Sequence, residues 1–249
     1  MSGEVLFRGD AMAAVVQGVI EVERLVGSRP VIVGGLAVLA RLTHPYRATV
    51  DLDVVDRLTG PTPHLQILRA VEGVSSQEPA AVLLPTAYGE VKVDVLEVRQ
   101  IELDEPSEDP GDRLHAFSHA WASDTATDLT MVVLRHDGSR VEATTPVAEP
   151  GPLVAMKLQA VMNRSESKQG TDLLDIIRIT FDQTIGRRAL LQIGDVADAV
   201  ASDIGLHVNL WFERRRRETL RLVHTVGGSE FSLDDIDLVA ELLADAARR

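Results

Sequence analysis

Apolar residues recur with helical spacing through AMAAVVQGVIEVERLV, residues 11–26, and the run stops before Gly27. A helix with one face on a core produces that pattern. PVIVGG (30–35) reads as a short buried strand stopped by two glycines, and LAVLARL (36–42) as a helix starting there. THPYRA is a loop. TVDLDVV (49–55) then alternates, with Val50, Leu52 and Val54 on one side and Asp51 and Asp53 on the other, as a strand requires. A helix is expected over 63–73, strands over 80–85 and 91–98 around a turn containing Gly89, and a helix over 112–124. DLTMVVLR and RVEATTP flank a DGS turn and predict a hairpin.

The character changes after AEPGP (148–152). Helical periods follow at 153–163, 170–181, 187–201, 204–222 and 232–247, with Ser202 and Ser232 as expected N-caps. The pattern therefore predicts an α/β part over residues 1–150 and a helical part over 151–249.

Composition narrows the chemistry. The 249 residues are 45% hydrophobic, enough to bury a core. The chain has no cysteine, so neither a disulfide framework nor a thiolate metal site is possible. No apolar run reaches membrane-spanning length, and MSGEVLFRGD has no leader-like pattern, so a cytoplasmic protein with no membrane partner is expected. The net charge of −13 argues against broad coating of nucleic acid but leaves room for a local basic groove. Of 25 basic residues only three are lysines, Lys92, Lys157 and Lys168. A compact ammonium is not replaced by arginine's broad fork, which singles these three out.

Several residues have the types that phosphate chemistry needs. Gly34 and Gly35, between strand and helix, allow close approach of an anion to free N–H groups, although an ordinary tight turn has the same sequence. Asp51 and Asp53 lie on one strand face, ~7 Å apart along the backbone. Such a pair shares a divalent cation or belongs to a solvated edge strand. In VKVDVLEV, Lys92 and Asp94 share the polar side, which adds a third carboxylate on another strand. Lys157 lies on an apolar helix, as a phosphate-neutralising cation or as a snorkelling side chain. Asp172 and Asp175 share a helix face, and Lys168 stands four residues before Asp172, the spacing of a surface pair. Arg214–Arg217 form the densest basic run, either an RNA or phosphate grip or a solvated face. His44, His115, His119 and His207 have no metal-ligand spacing and read as loop or surface residues.

The order of these features is more specific than any one of them. Gly34-Gly35 before a helix, then Arg47-Ala48-Thr49-Val50-Asp51-Leu52-Asp53 and a later strand aspartate, Asp94, resembles the polymerase-beta-like nucleotidyltransferase superfamily. GGLAVLAR, RATVDLD, Lys157 and KQGTDLLD together resemble its AbiEii-type toxin branch, which includes the MenT-like toxins; the resemblance spans residues 30–178. Many superfamily members carry Gly-Ser where this chain has Gly35 followed by Leu36, so a serine contact to phosphate is missing; Gly-Gly is usual in the AbiEii-like branch.

The resemblance implies a nucleotidyltransferase-type mixed sheet with flanking helices, followed by a C-terminal helical domain that completes the active site. It implies Mg²⁺ or Mn²⁺ on Asp51, Asp53 and Asp94, and an NTP held by Gly34, Gly35, Arg47, Thr49 and Lys157. It implies catalytic roles for Asp51, Asp53, Asp94, Lys157 and Asp172. A tRNA 3′ end is the implied acceptor and a cognate antitoxin the implied partner. Two other readings stand beside it. A small-molecule, antibiotic-type nucleotidyltransferase fits the acidic charge, and a nonenzymatic nucleotide-binding partner protein needs only the scaffold.

Overall fold

The computed structural model describes residues 3–248. In chain order, β1 (Gly3–Arg8) and α1 (Asp10–Val26) precede β2 (Val31–Val33), α2 (Gly34–Arg41) and β3 (Asp51–Asp56). Then come α3 (His64–Arg69), β4 (Ser75–Glu78), β5 (Ala81–Thr86), β6 (Gly89–Glu97), α4 (Ile101–Asp104) and α5 (Pro110–Asp124). The hairpin β7 (Thr127–Leu134) and β8 (Arg140–Val147) leads to α6 (Pro150–Ala160), α7 (Glu166–Phe181), α8 (Gly186–Gly194) and α9 (Asp198–Val208). A π-helical segment, Asn209–Arg214, separates α9 from α10 (Arg216–Thr225), and α11 (Leu233–Ala247) follows.

The chain forms two compact units. One holds residues 1–100 and 119–149; the other holds 101–118 and 150–249. The first is α/β. Its eight strands make one mixed sheet in the order β1-β7-β8-β2-β3-β6-β5-β4. β3 runs antiparallel to β2 and parallel to β6. Helix α1 packs on the sheet because its apolar stripe, Met12, Val15, Val16, Val19 and Val22, is buried. A left-handed Gly27 ends it, with φ of 81°. Gly18 lets α1 lie closely on β3 and β6: a methyl group there would touch Val91 at 3.4 Å and Leu52 at 3.5 Å. Leu52, Val54, Val91, Val93 and Val95 are buried. Strand alternation therefore turns Asp51, Asp53, Lys92 and Asp94 to the face opposite α1.

The second unit is helical. α6 packs against α7, α8 and α9, and α7 also packs against α10 and α11. Trp211 and Phe212 from the π-helical segment are buried. Ser232 caps α11 in a capping box with Asp235.

Four expectations need correction. The run 187–201 is not one helix, because α8 ends at Gly194 and α9 begins at Asp198. Ser202 is no cap; it lies inside α9, which begins at Asp198 after Ala197. The run 204–222 is not one helix, because the π-helical segment and Arg215 interrupt it. Periodicity alone continues through such a bulge, since the buried apolar positions Ile204, Val208, Trp211 and Leu222 keep nearly helical spacing. Val50 precedes β3 and is 66% exposed, so it does not join Leu52 and Val54 in the core.

Candidate active site

In the α/β unit the site is built at the β2–α2 turn. Gly34 has φ of +63°, a left-handed geometry that side chains disfavour. Space is a stronger constraint still: a methyl group on Gly34 would lie 1.9 Å from Asp53 Oδ2. The Asp53 carboxylate therefore rests against the start of α2, where the helix dipole favours negative charge. A methyl group on Gly35 would lie 3.2 Å from both Arg47 and the Thr49 hydroxyl. The Arg47 guanidinium is thus held over the same turn, and it also contacts the Tyr46 hydroxyl at 3.3 Å. Thr49 donates to the Asp51 carbonyl at 3.3 Å. Gly34, Gly35, Arg47, Thr49 and Asp53 come together here.

Register brings in the rest. Asp51 is opposite Lys92, and Asp53 is opposite Asp94, on the parallel neighbours β3 and β6. The four positions form a rectangle, ~4.8 Å between the strands and ~7 Å along each. Lys92 Nζ lies 3.2 Å from Asp94 Oδ1 and 3.2 Å from Glu78 Oε2. Burial pushes the Asp94 carboxyl above the usual carboxylate range; Lys92 opposes this, while Asp51 and Glu78 add to it. Burial works against the Lys92 charge, but Glu78 and Asp94 outweigh it and raise its pKa.

The donor set fits a hard dication in part. Magnesium is typically held by one or two carboxylates, with water and phosphate oxygens completing the shell. Asp51 and Asp53, half-buried and adjacent on one face, are donors of that kind. Among the described residues, however, no three His, Asp or Glu side chains converge closely enough to hold a metal ion. Asp94 is turned to Lys92 instead.

The helical unit holds a second charged group. Lys157 on α6 is 6% exposed and does not snorkel. Its Nζ donates to Asp172 Oδ1 at 2.6 Å and lies 2.9 Å from Asp175 Oδ2, both on α7. Asp172 and Asp175 are buried one helical turn apart, on the face turned to α6. Arg164 donates to both oxygens of Asp172, at 3.3 and 3.0 Å. Burial alone would lower the Lys157 pKa, but Asp172 and Asp175 hold it above the ordinary lysine value. Two cations meet two carboxylates, so the group is balanced. Asp172 turns inward to Lys157 and Arg164 rather than outward to Lys168.

Sequence reasoning missed two members of these groups. Glu78 lies on an edge strand with no apolar alternation, and Arg164 lies between two helices; only tertiary structure brings either to its partner. It also misplaced two histidines: His119 and His207 are buried, 4% and 7% exposed. Burial lowers the His207 pKa, against the pull of Asp203 and Asp109.

The arginine run is exposed from Arg214 through Arg217, beside an open groove of about 480 Å³ lined by residues 213–218. Arg215 stacks on Trp211, 5.0 Å from the ring centre, and Arg216 grips both oxygens of Asp237.

No protein-family model matches the chain. No curated protein matches it in sequence. A solved structure of an antigenic nucleotidyltransferase-like protein from Paracoccidioides brasiliensis is similar over 94% of this chain and 93% of that one, at 16% identity and a TM-score of 0.33. A likeness at that level assigns this chain neither an activity nor residue roles.

Proposed function

We propose that this protein transfers a nucleoside monophosphate from an NTP to a hydroxyl acceptor, with Mg²⁺ or Mn²⁺ on Asp51 and Asp53. The observation that carries the reading is the Gly34-Gly35 turn. It is pressed against Arg47, Thr49 and Asp53, with Asp94 in register with Asp53 and Asp51 on the same sheet face. The acceptor oxygen forms a bond to the α-phosphorus, the α–β phosphoanhydride bond breaks, and pyrophosphate leaves. The hydroxyl proton passes to water or to a carboxylate of that face. A bound dication would neutralise the phosphates and the developing charge. The chain's own residues position the substrate. Backbone N–H groups at the start of α2 face the phosphates, and the Arg47 guanidinium adds a fixed positive charge over the turn. Lys157 and Asp172 pair with each other inside the helical unit, so the positive charge proposed at the phosphates is that of Arg47 and the dication.

The acceptor proposed first is a tRNA 3′ end, and the biological role that of a toxin held in check by a cognate antitoxin in a toxin–antitoxin or phage-defence system. The exposed arginine run favours RNA, and the net charge of −13 favours a small cationic acceptor as the second reading. The test is incubation of the purified protein with Mg²⁺, each NTP labelled at the α-phosphate, and either total tRNA or cationic small molecules. Label should appear on tRNA. Asp51→Ala should abolish transfer while its melting temperature without metal stays equal or rises, because one like charge is removed from the face. Near-wild-type transfer by Asp51→Ala would overturn the assignment.

A further inference from the structure

We propose that Lys92 is a built-in cation of the carboxylate face: it withholds Asp94 from metal and leaves a two-aspartate site that takes a dication firmly only together with a nucleotide. The inference rests on the reading of Asp51 and Asp53 given above and adds a control of that site.

The geometry is specific. Lys92 is opposite Asp51 across the β3–β6 pair, and Asp94 is opposite Asp53. Lys92 Nζ reaches Asp94 Oδ1 and Glu78 Oε2 at 3.2 Å each. Lys92 and Asp94 are only about one-fifth exposed, at 22% and 21%, so water screens their pairing less than at an open surface. No three carboxylates converge among the described residues, although three stand side by side on this face. Lys92 accounts for that in this proposal, because the Asp94 carboxylate is engaged by the ammonium two residues away on its own strand. Asp51, Asp53, Asp94 and Lys92 together carry three negative charges and one positive, and Glu78 shares the lysine.

A three-carboxylate cage would bind free Mg²⁺ or Mn²⁺ without substrate. A two-carboxylate site leaves most of the ion's shell to water, and phosphate oxygens complete it. Lys92 thereby couples metal retention to nucleotide. Glu78, on edge strand β4 beyond β5, gives the ammonium a second carboxylate partner at 3.2 Å.

Mn²⁺ titration of the full-length protein, followed by electron paramagnetic resonance without nucleotide, tests this. Lys92→Met and Lys92→Gln each remove the cation from a partly exposed position, and circular dichroism checks that each folds. Both should bind Mn²⁺ about tenfold or more tightly than wild type, since a unit charge a few ångströms from the ion is lost. Adding Asp94→Asn to either should return affinity to the wild-type level. With a non-hydrolysable NTP present, wild type and Lys92→Met should bind Mn²⁺ within a few-fold of each other, because the phosphates complete the shell in both. Unchanged or weaker Mn²⁺ binding by both folded Lys92 variants overturns the inference. Asp51→Asn/Asp53→Asn separates the two levels. If it loses nucleotide-dependent Mn²⁺ binding while the Lys92 variants behave as wild type, only the Lys92 role fails. If it binds like wild type, the two-aspartate reading fails, and this inference with it.

Discussion

At the scale of single residues, Asp51 and Asp53 were legible because strand alternation puts both on one polar face. Why they tolerate each other was not legible. Asp53 leans on the start of α2, and Lys92 partly offsets the face's charge, so the protein balances some of the repulsion itself. Gly34 makes this testable. Its φ of +63° costs a residue with a side chain ~1–2 kcal/mol, and a methyl group would also displace the Asp53 carboxylate. Gly34→Ala should therefore lower stability in urea melts by about that much and lose nucleotide-dependent Mn²⁺ binding. Gly35→Ala meets only the ends of two side chains at 3.2 Å and should be close to neutral in stability while weakening nucleotide binding. Equal urea midpoints for Gly34→Ala and wild type would show that Asp53 is not held by this turn. The glycines themselves could be read from sequence; the collision with Asp53 could not, because it depends on how β2 and β3 pair.

At the scale of elements, strong periodicity was enough. Helix α1, strand β6 and the β7–β8 hairpin have strict patterns and lie close to where those patterns put them. Edge strands β1 and β4 and the π-helical segment escaped, since edges carry little apolar alternation and a π bulge breaks no apolar stripe. The α6–α7 pair shows what pattern misses inside a recognised element. The pattern reads Lys157 as a phosphate-neutralising cation or a snorkelling helix-edge lysine, yet it is a buried link between two helices. Lys157→Met takes the ammonium from between buried Asp172 and Asp175, and breaking a buried pair typically costs ~3–5 kcal/mol. The pH dependence has a definite sign. The folded-state pKa of Lys157 is raised above the ordinary 10.5. The stabilisation is therefore complete below that value and is lost as pH rises through the higher folded-state value. Denaturant melts at neutral pH and above pH 10.5 should show wild type losing more stability in alkali than Lys157→Met. Parallel losses in the two proteins would contradict a charged, buried Lys157.

At the scale of the whole molecule, a net charge of −13 must be reconciled with the proposed RNA acceptor. The bulk charge repels a polyanion, so contact requires concentrated positive charge, and Arg214–Arg217 are the densest basic run. Sequence could not say which of the four to test, because it treats them alike. The structure separates them. Arg215 is stacked on Trp211, and Arg216 is neutralised by Asp237. Arg214 and Arg217 are exposed and form no ion pair among the described residues. They are the side chains available to phosphates. Each phosphate contact releases condensed counterions, so tRNA affinity should fall steeply with salt. Arg214→Gln/Arg217→Gln should weaken tRNA binding at low salt and flatten the slope of log affinity against log salt by about one unit per lost contact. Arg216→Gln should do less to the slope, because its charge is already spent on Asp237. NTP-dependent thermal stabilisation should not change in either variant, since the residues proposed to hold the nucleotide are untouched. A double variant that binds and modifies tRNA with the wild-type salt slope would make the run a solvated surface and move the small cationic acceptor to the front.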